Sequence, residues 1–588
     1  MKKLIFLTRE QWLVVLFLLI SLGLRIYKIT AIPPVISHDE VYYMAEAKAL
    51  AVSGHDPTGT WRPWWLTAAN PLFAELPGTL MMPAAWLFPN NTVLAAKATA
   101  IVLGTILPLV LAGVAGELTK NKLVTGLTLV LASFNPWIFQ FSRMGFDALY
   151  SLSFYFLAIY LMLKLKSWQR LWAIIPLILG FYQYQGLKVI FVPMVLATLF
   201  YLWWQSKPQQ RTWQKQLPLL IMGSFTVVFF TVHLLRMGYQ EAGGRVNDLV
   251  FFQDQYLAKQ VDLQRQQAIE SPVQKFFTNK LTVLIAELAN KYLQAFEPTQ
   301  LFVHGEARRN PFSVYSRGVF HLVTVVLIII GLINLWQHRS WRKQAWFLSL
   351  LVLLAPIPAA INASDSWIMF RASFLFPLLI ILAGIGASKI WQIKKPWSAI
   401  ILTVIYLLLV SDFFYEYFYR YPIYGTKEQY FAERLLSSYL KRGTADQQFL
   451  VLADEDYFVF TEIVVHNNLI NQQNLDQLQQ AYQDKNYQAN NFTVATRCLD
   501  VNSLANKVTV IADPSVQLCD GRSKDQLPPE LRVTEIKSLL DNGTIFAIYQ
   551  DSVCDDYPLD SRVQVQQDVF AVEQLTDQQF CENFLTRE

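Results

Sequence analysis

Apolar runs of about 18 residues recur along the chain, separated by short polar turns, the length and composition of helices that cross a bilayer. Eleven segments read as spans: 11–28, 93–115, 123–141, 146–163, 171–185, 187–204, 217–235, 318–336, 345–361, 369–388 and 397–415. The fifth is the shortest. Two longer stretches interrupt the series, 29–92 and 236–317. Past about residue 420 the pattern changes. "KEQYFAERLLSSYLKR" (Lys427–Arg442) carries apolar residues at helical spacing. "QFLVLAD", "FTVATRC", "VTVIADP" and "TIFAIYQ" are short β-rich runs bounded by turn residues. The fold class is therefore a polytopic all-α membrane protein of about eleven transmembrane helices, residues 1–419, followed by an α/β domain, residues 420–588.

Composition agrees with this division. Of 588 residues, 53% are hydrophobic and 14% aromatic, which is too apolar for a soluble chain of this length. Several of the 17 tryptophans stand near the ends of apolar runs, where interfacial belts need them. From Arg420 to Glu588 there are 14 Lys+Arg against 25 Asp+Glu; the remainder carries 35 against 19. An acidic tail follows a basic membrane part, and nothing calls for a nucleic-acid partner. With the N-terminus cytoplasmic, the inside turns hold seventeen Lys and Arg, from Lys2 to Lys395. The positive-inside rule then puts the N-terminus in, and an odd span count puts the C-terminal domain outside the plasma (cell) membrane. The first segment lacks a small-residue cleavage site and reads as an uncleaved span.

All four cysteines, Cys498, Cys519, Cys554 and Cys581, fall in that outside domain. An oxidising location favours two disulfides, and no CxxC spacing argues for zinc. Pairing of sequence neighbours, Cys498 with Cys519 and Cys554 with Cys581, closes the shorter loops.

The stretch "PPVISHDEVYYMAEAKAL" (Pro33–Leu50) follows the first span. Apolar residues at Tyr42, Tyr43, Ala47, Leu50 and Ala51 predict an amphipathic helix lying along the membrane surface. Asp39 or Ser37 caps it. Capping accounts for one acid, not for His38, Asp39 and Glu40 together. Two carboxylates at a membrane rim suit proton abstraction or metal binding.

At this point the chain resembles a family. The order of a first span, Pro-Pro, Asp-Glu, a helix and "SGHDPTG" (Ser53–Gly59) is similar to the start of the C-type membrane glycosyltransferases. The likeness is to the group around the protein O-mannosyltransferases (glycosyltransferase family 39) and the lipid A aminoarabinose transferases. "FSRMGFDALYSLSFYFLAIYLMLK" (Phe141–Lys164), "GFYQYQGLKVIFVPMVL" (Gly180–Leu196), "FEPTQLFVHGEARRNPFSVYSRGVFHL" (Phe296–Leu322) and "DSWIMFRASFLFPLLIILAGIG" (Asp365–Gly386) extend it over most of 10–390. The resemblance does not extend to the tail, 420–588.

The resemblance implies transfer of a sugar from a polyprenyl-phosphate-linked donor to an acceptor hydroxyl on the outer face. The acceptor is a protein, lipid or glycan, and membrane lipids surround the site. It implies that Asp39 is the base, with Glu40 beside it as a second catalytic acid. A carboxylate partly desolvated at the rim has a raised pKa and is a better base. The leaving phosphate needs cations, and Arg143, Lys188, Arg308, Arg309 and Arg371 are the candidates. Asp147 lies four residues from Arg143, at ion-pair spacing on a helix. His38, Tyr182, Tyr184, His304 and Glu306 are candidate donor or acceptor contacts. The aminoarabinose branch has a Lys-Pro-Pro-Leu stretch where this chain reads "AANPLFAELPG" (Ala68–Gly78), so that lysine is absent. His304, Glu306, Glu75 and His55 are the residues available for a metal, but nothing in their spacing brings them together. No cofactor is expected, and metal-independent chemistry is the default. Two other classes compete. A transporter or lipid flippase calls for inverted repeats meeting at the midplane, and no internal symmetry is visible. A non-catalytic anchor presenting the acidic tail leaves the Asp-Glu pair and loop 236–317 without a role.

Overall fold

The computed structural model describes residues 9–70, 72–206, 213–239, 249, 254–306, 312, 314, 316–363, 368–393, 396–426, 431–444, 446–500, 508–521, 533–557, 559 and 570–587. Helices dominate up to Tyr424. In order they are α1 (Arg9–Ile26), α2 (His38–Ser53), α3 (Pro77–Leu87), α4 (Thr92–Thr119), α5 (Lys122–Ser133), α6 (Pro136–Phe141), α7 (Asp147–Lys164), α8 (Ile174–Phe181), α9 (Lys188–Gln205) and α10 (Trp213–Tyr239). There follow α11 (Asp254–Gln266), α12 (Gln274–Phe277), α13 (Lys280–Gln294), α14 (Pro298–Phe302), α15 (Val323–Gln337), α16 (Arg342–Leu354), α17 (Ile357–Ala360), α18 (Ile368–Arg371), α19 (Leu375–Trp391), α20 (Pro396–Tyr415) and α21 (Tyr421–Tyr424).

Among the described residues six helices are long and apolar enough to cross a membrane, and four shorter apolar helices accompany them. This is an integral membrane protein. The segment expected at 171–185 is the weakest: its α-helix, α8, has only eight residues, preceded by seven of 3-10 helix. The central helices pack at backbone distance. A Cβ on Gly331 of α15 would lie 2.0 Å from the Leu382 carbonyl oxygen of α19, and one on Gly386 of α19 would lie 1.9 Å from that of Leu327. Glycine there lets two spans touch, the usual route to tight packing where lipid supplies no hydrophobic drive.

Residues 431–587 form the second part. Helices α22 (Phe431–Arg442), α23 (Asp456–His466), α24 (Leu475–Asp484) and α25 (Asp577–Phe584) flank a seven-stranded sheet. The strands are β1 (Gln448–Leu452), β2 (Gln488–Ala489), β3 (Phe492–Ala495), β4 (Val508–Ala512), β5 (Val533–Lys537), β6 (Thr544–Tyr549) and β7 (Leu585–Arg587). Their order is β2-β3-β1-β4-β6-β5-β7, with β1 parallel to β3 and β4 and the other pairs antiparallel. The four β-rich runs of the sequence are β1, β3, β4 and β6. The short strands β2 and β7 are the edges, and β5 lies next to β7. Cys498–Cys519 and Cys554–Cys581 are both disulfide-bonded, the neighbour pairing.

One expectation is corrected here. Helix α2 is not a surface helix with a wet face. Everything from Glu40 to Leu50 is buried, including Glu46 and Lys48. The reason lies in the C-terminal domain and in α3 and α4. Helix α23 packs on α2, as do α3 and α4. Lys48 reaches Asn468 of that domain, while Glu46 lies against Gly78 of α3.

Candidate active site under the C-terminal domain

The site starts from how α2 begins. Ser37 is its N-cap, and Glu40 completes a capping box: the Ser37 N–H donates to Glu40 Oε2 at 2.7 Å and the Glu40 N–H to Ser37 Oγ at 3.4 Å. The other Glu40 oxygen accepts from the Gly145 N–H. Glu40 has no exposed surface. Burial raises its pKa, while the Lys97 charge and the backbone donors oppose that shift. Its two oxygens accept backbone N–H groups and fix the start of α2 against the turn before α7, a structural task beside the catalytic one expected of it.

Asp39 stands in the same first turn, where the helix dipole favours an anion. It is half-buried. His38 lies against Phe458 of α23, ring centroids 3.8 Å apart and edge to face, and burial lowers its pKa to about 4. It is neutral and forms part of the contact with the C-terminal domain.

One helical turn on from Asp39, Tyr43 links three elements. Its hydroxyl donates to Asp147 Oδ2 at 2.9 Å and accepts from the Ala74 N–H at 3.1 Å. Asp147 is thus held by Tyr43, and the expected Asp147–Arg143 pair is not how the two side chains are used. Beyond Ala74, Glu75 pairs with Lys188, both largely buried. Lys188 brings a cation from α9 to the stretch that lacks a lysine of its own. The Tyr182 carbonyl accepts from Leu76 N–H at 3.1 Å, and Tyr184 meets Phe370 at 5.0 Å, next to half-buried Arg371. Glu306 is buried, and its Oε1 accepts from the Ile368 N–H at 2.8 Å, tying the loop before α15 to α18. Among the described residues, the His304 ring bonds its neighbour's carbonyl, Gly305 O, at 3.2 Å.

Residues 38–43, 73–76, 145–147, 182–188 and 368–371 therefore lie against one another. Arg308 and Arg309 lie outside the described residues. The four metal candidates are engaged separately: Glu75 with Lys188, His55 with Arg62 at 2.8 Å, Glu306 with Ile368, and His304 with Gly305.

Arg143 calls for a second correction. It has no exposed surface, and its guanidinium donates to the carbonyls of Leu24, Arg25, Tyr27 and Ile32 at 2.5–2.8 Å. It anchors the chain that leaves α1 rather than facing a phosphate. Lys97 of α4 does the same from another side, donating to Pro33 O at 2.7 Å and Ile29 O at 3.4 Å. Each such charge-assisted bond contributes about 1.5–3 kcal/mol. Sequence reading missed Tyr43, Lys97 and the role of Asp147. A buried lysine in the second turn of a span was the visible signal for Lys97.

No protein family and no curated protein matches this chain. Among solved structures it is similar to an oligosaccharyltransferase of Archaeoglobus fulgidus tethered with an acceptor peptide, at 13% identity over 78% of this chain and 63% of that one, TM-score 0.44. It is similar to the archaeal oligosaccharyltransferase AglB of the same organism with an inhibitory peptide and a dolichol-phosphate, at 12% identity over 96% and 77%, TM-score 0.43. It is also similar to ArnT of Cupriavidus metallidurans bound to undecaprenyl phosphate, at 10% identity over 93% and 99%, TM-score 0.49. The chain spans less than two thirds of the length of the first of these. All three TM-scores lie below 0.5, so the chemistry is argued from the chain's own residues.

Proposed function

We propose that this protein is a membrane glycosyltransferase. It transfers a sugar from a polyprenyl-phosphate-linked donor to an acceptor hydroxyl of a protein, lipid or glycan at the outer rim of the bilayer. The observation that carries the reading is the division of labour at the start of α2. Each Glu40 oxygen accepts a backbone N–H, from Ser37 and from Gly145, and Asp39 stands half-buried beside it, one turn from the Tyr43–Asp147 contact.

In this reading Asp39 takes the proton of the acceptor hydroxyl as its oxygen attacks the anomeric carbon. The bond from that carbon to the phosphate oxygen breaks, and polyprenyl phosphate leaves with the electron pair. Attack opposite the leaving group inverts the anomeric centre. Lys188 and Arg371 are the cations that meet the phosphate, Lys188 by exchanging its Glu75 partner for the anion. The resemblance of residues 10–390 to C-type glycosyltransferases supports the reading.

The test uses purified protein, a labelled polyprenyl-phosphate sugar and a panel of peptide, lipid and glycan acceptors. Asp39→Asn keeps shape and removes the base. Turnover is expected to fall by about 10²–10⁴-fold, with donor binding retained. Arg371→Ala is expected to weaken donor binding as well as turnover, since a phosphate contact acts in ground and transition states alike. An Asp39→Asn protein with unchanged turnover removes Asp39 as base, and with it this assignment.

A further inference from the structure

The segment between α1 and α2 has little regular structure of its own, yet it sets where Asp39 stands. Two of the cations that grip its carbonyls, Lys97 and Arg143, belong to the membrane bundle. The third does not. Arg434 of α22 has no exposed surface; it donates to the carbonyl of Pro34, and through Nη2 to that of Thr30 at 3.1 Å. Its fork is aimed by Glu573, which accepts from Nε at 2.8 Å and from Nη2 at 2.5 Å. Pro34 is three residues before the helix cap Ser37 and five before Asp39.

We infer that Arg434 is a positioning residue for the reaction. Through it the C-terminal domain fixes the last free stretch of backbone before the base. The inference rests on the proposed role of Asp39. It gives the domain a part in turnover distinct from simply being attached. Attachment has its own contacts: Lys48 Nζ donates to Asn468 Oδ1 at 2.5 Å, Thr92 Oγ1 donates to the Val465 carbonyl at 3.1 Å, and His38 packs on Phe458. None of these touches the carbonyls of residues 29–34. Removing Arg434 therefore loosens the segment while the domain stays docked. Removing Asn468 weakens docking while the segment stays held.

A cavity of about 350 Å³ opens beside Arg434, lined also by Ser438, Arg442, His466 and Glu573. It gives a small cation a way in. A guanidinium ion added to an Arg434→Ala protein can occupy the place of the lost side chain, paired with Glu573 and donating to the same two carbonyls.

The experiment compares Arg434→Gln, Arg434→Lys, Arg434→Ala and Asn468→Ala, with Asp39→Asn as reference, in the full-length protein. Displacement of a reacting group by about 1 Å costs up to about 100-fold. Arg434→Gln is therefore expected to lower kcat by about 10–100-fold, with acceptor KM and donor affinity within about threefold. Arg434→Lys, which keeps charge but not the fork, is expected to fall between Gln and wild type. Guanidinium is expected to raise kcat of Arg434→Ala and to leave Asn468→Ala unchanged. Asn468→Ala is expected to lower Tm and keep kcat. If Arg434→Gln keeps wild-type kcat while Asp39→Asn is inactive, the positioning role is wrong and the glycosyltransferase reading stands. If Arg434→Gln and Asn468→Ala lose Tm and kcat in parallel, with no rescue by guanidinium, Arg434 is merely structural. Should Arg434→Gln fail to fold, the Lys variant and the rescue of Arg434→Ala decide. An active Asp39→Asn protein overturns both readings.

Discussion

Asp39 and Glu40 are adjacent in the chain and differ in almost everything else. The sequence shows two acids beside a histidine at the end of a span. It does not say which acid is structural, because that depends on Gly145, 105 residues away, whose N–H claims one Glu40 oxygen. Arg143 was misread for a similar reason. A charge at a span end looks ready to meet a ligand until the carbonyls of residues 24–32 take up its donors. The same dependence on distant neighbours applies to Glu462 of α23. Burial raises its pKa well above the ordinary 4.5, and the Glu433 and Glu40 charges add to the shift. Its neighbour His466, 3.3 Å away, is lowered by burial to about 3. An acid whose folded pKa is raised holds its proton longer folded than unfolded. Stability is thus lost as pH climbs from about 4.5 through the raised value. Glu462→Gln removes that loss. Thermal melts are expected to show equal Tm near pH 4.5 and a growing advantage for the variant at higher pH. A constant difference across that range would mean Glu462 ionises normally.

At the scale of elements, hydropathy showed a mostly helical membrane part, because the length of an apolar run is a local property; six helices of spanning length and four shorter apolar ones are found among the described residues, against the eleven spans expected. The tail's main strands were legible for the same reason, each being a short β-rich run between turn residues. The nature of α2 was not. Its period is amphipathic, but its polar positions are covered by α3 and by the C-terminal domain, and no local pattern announces a domain arriving from the far end of the chain. Helix contacts were equally invisible: Gly331 and Gly386 look like any glycines in apolar runs, and only the fold shows α15 and α19 touching there. Gly386→Ala is expected to cost about 1–3 kcal/mol through overpacking, because the new methyl meets the Leu327 carbonyl rather than a side chain that can turn aside. Differential scanning fluorimetry in detergent would check it. A variant as stable as wild type would show that the two spans can separate freely.

At the scale of the molecule, the charge count predicts a cytoplasmic N-terminus and an outside C-terminal domain. A reporter fused after Glu588 is expected to be active only outside the cytoplasm, and non-reducing peptide mapping is expected to find Cys498–Cys519 and Cys554–Cys581. Cytoplasmic reporter activity together with four free thiols would invert the topology and move the rim to the wrong face. The three-cation grip on residues 24–34 also has a consequence in time. Arg143 and Lys97 are made soon after the segment they hold, but Arg434 follows Pro34 by 400 residues. At translation rates of about 5–20 residues per second, that is a delay of roughly 20–80 s. During that interval the spans can insert while the segment carrying Asp39 still lacks its last anchor. A nascent or prematurely terminated chain would sit in the bilayer with its lipid-facing surfaces complete and its chemistry switched off. Competence would then arrive only when translation is finished and the last domain has folded, so that completion of synthesis acts as the licence for activity.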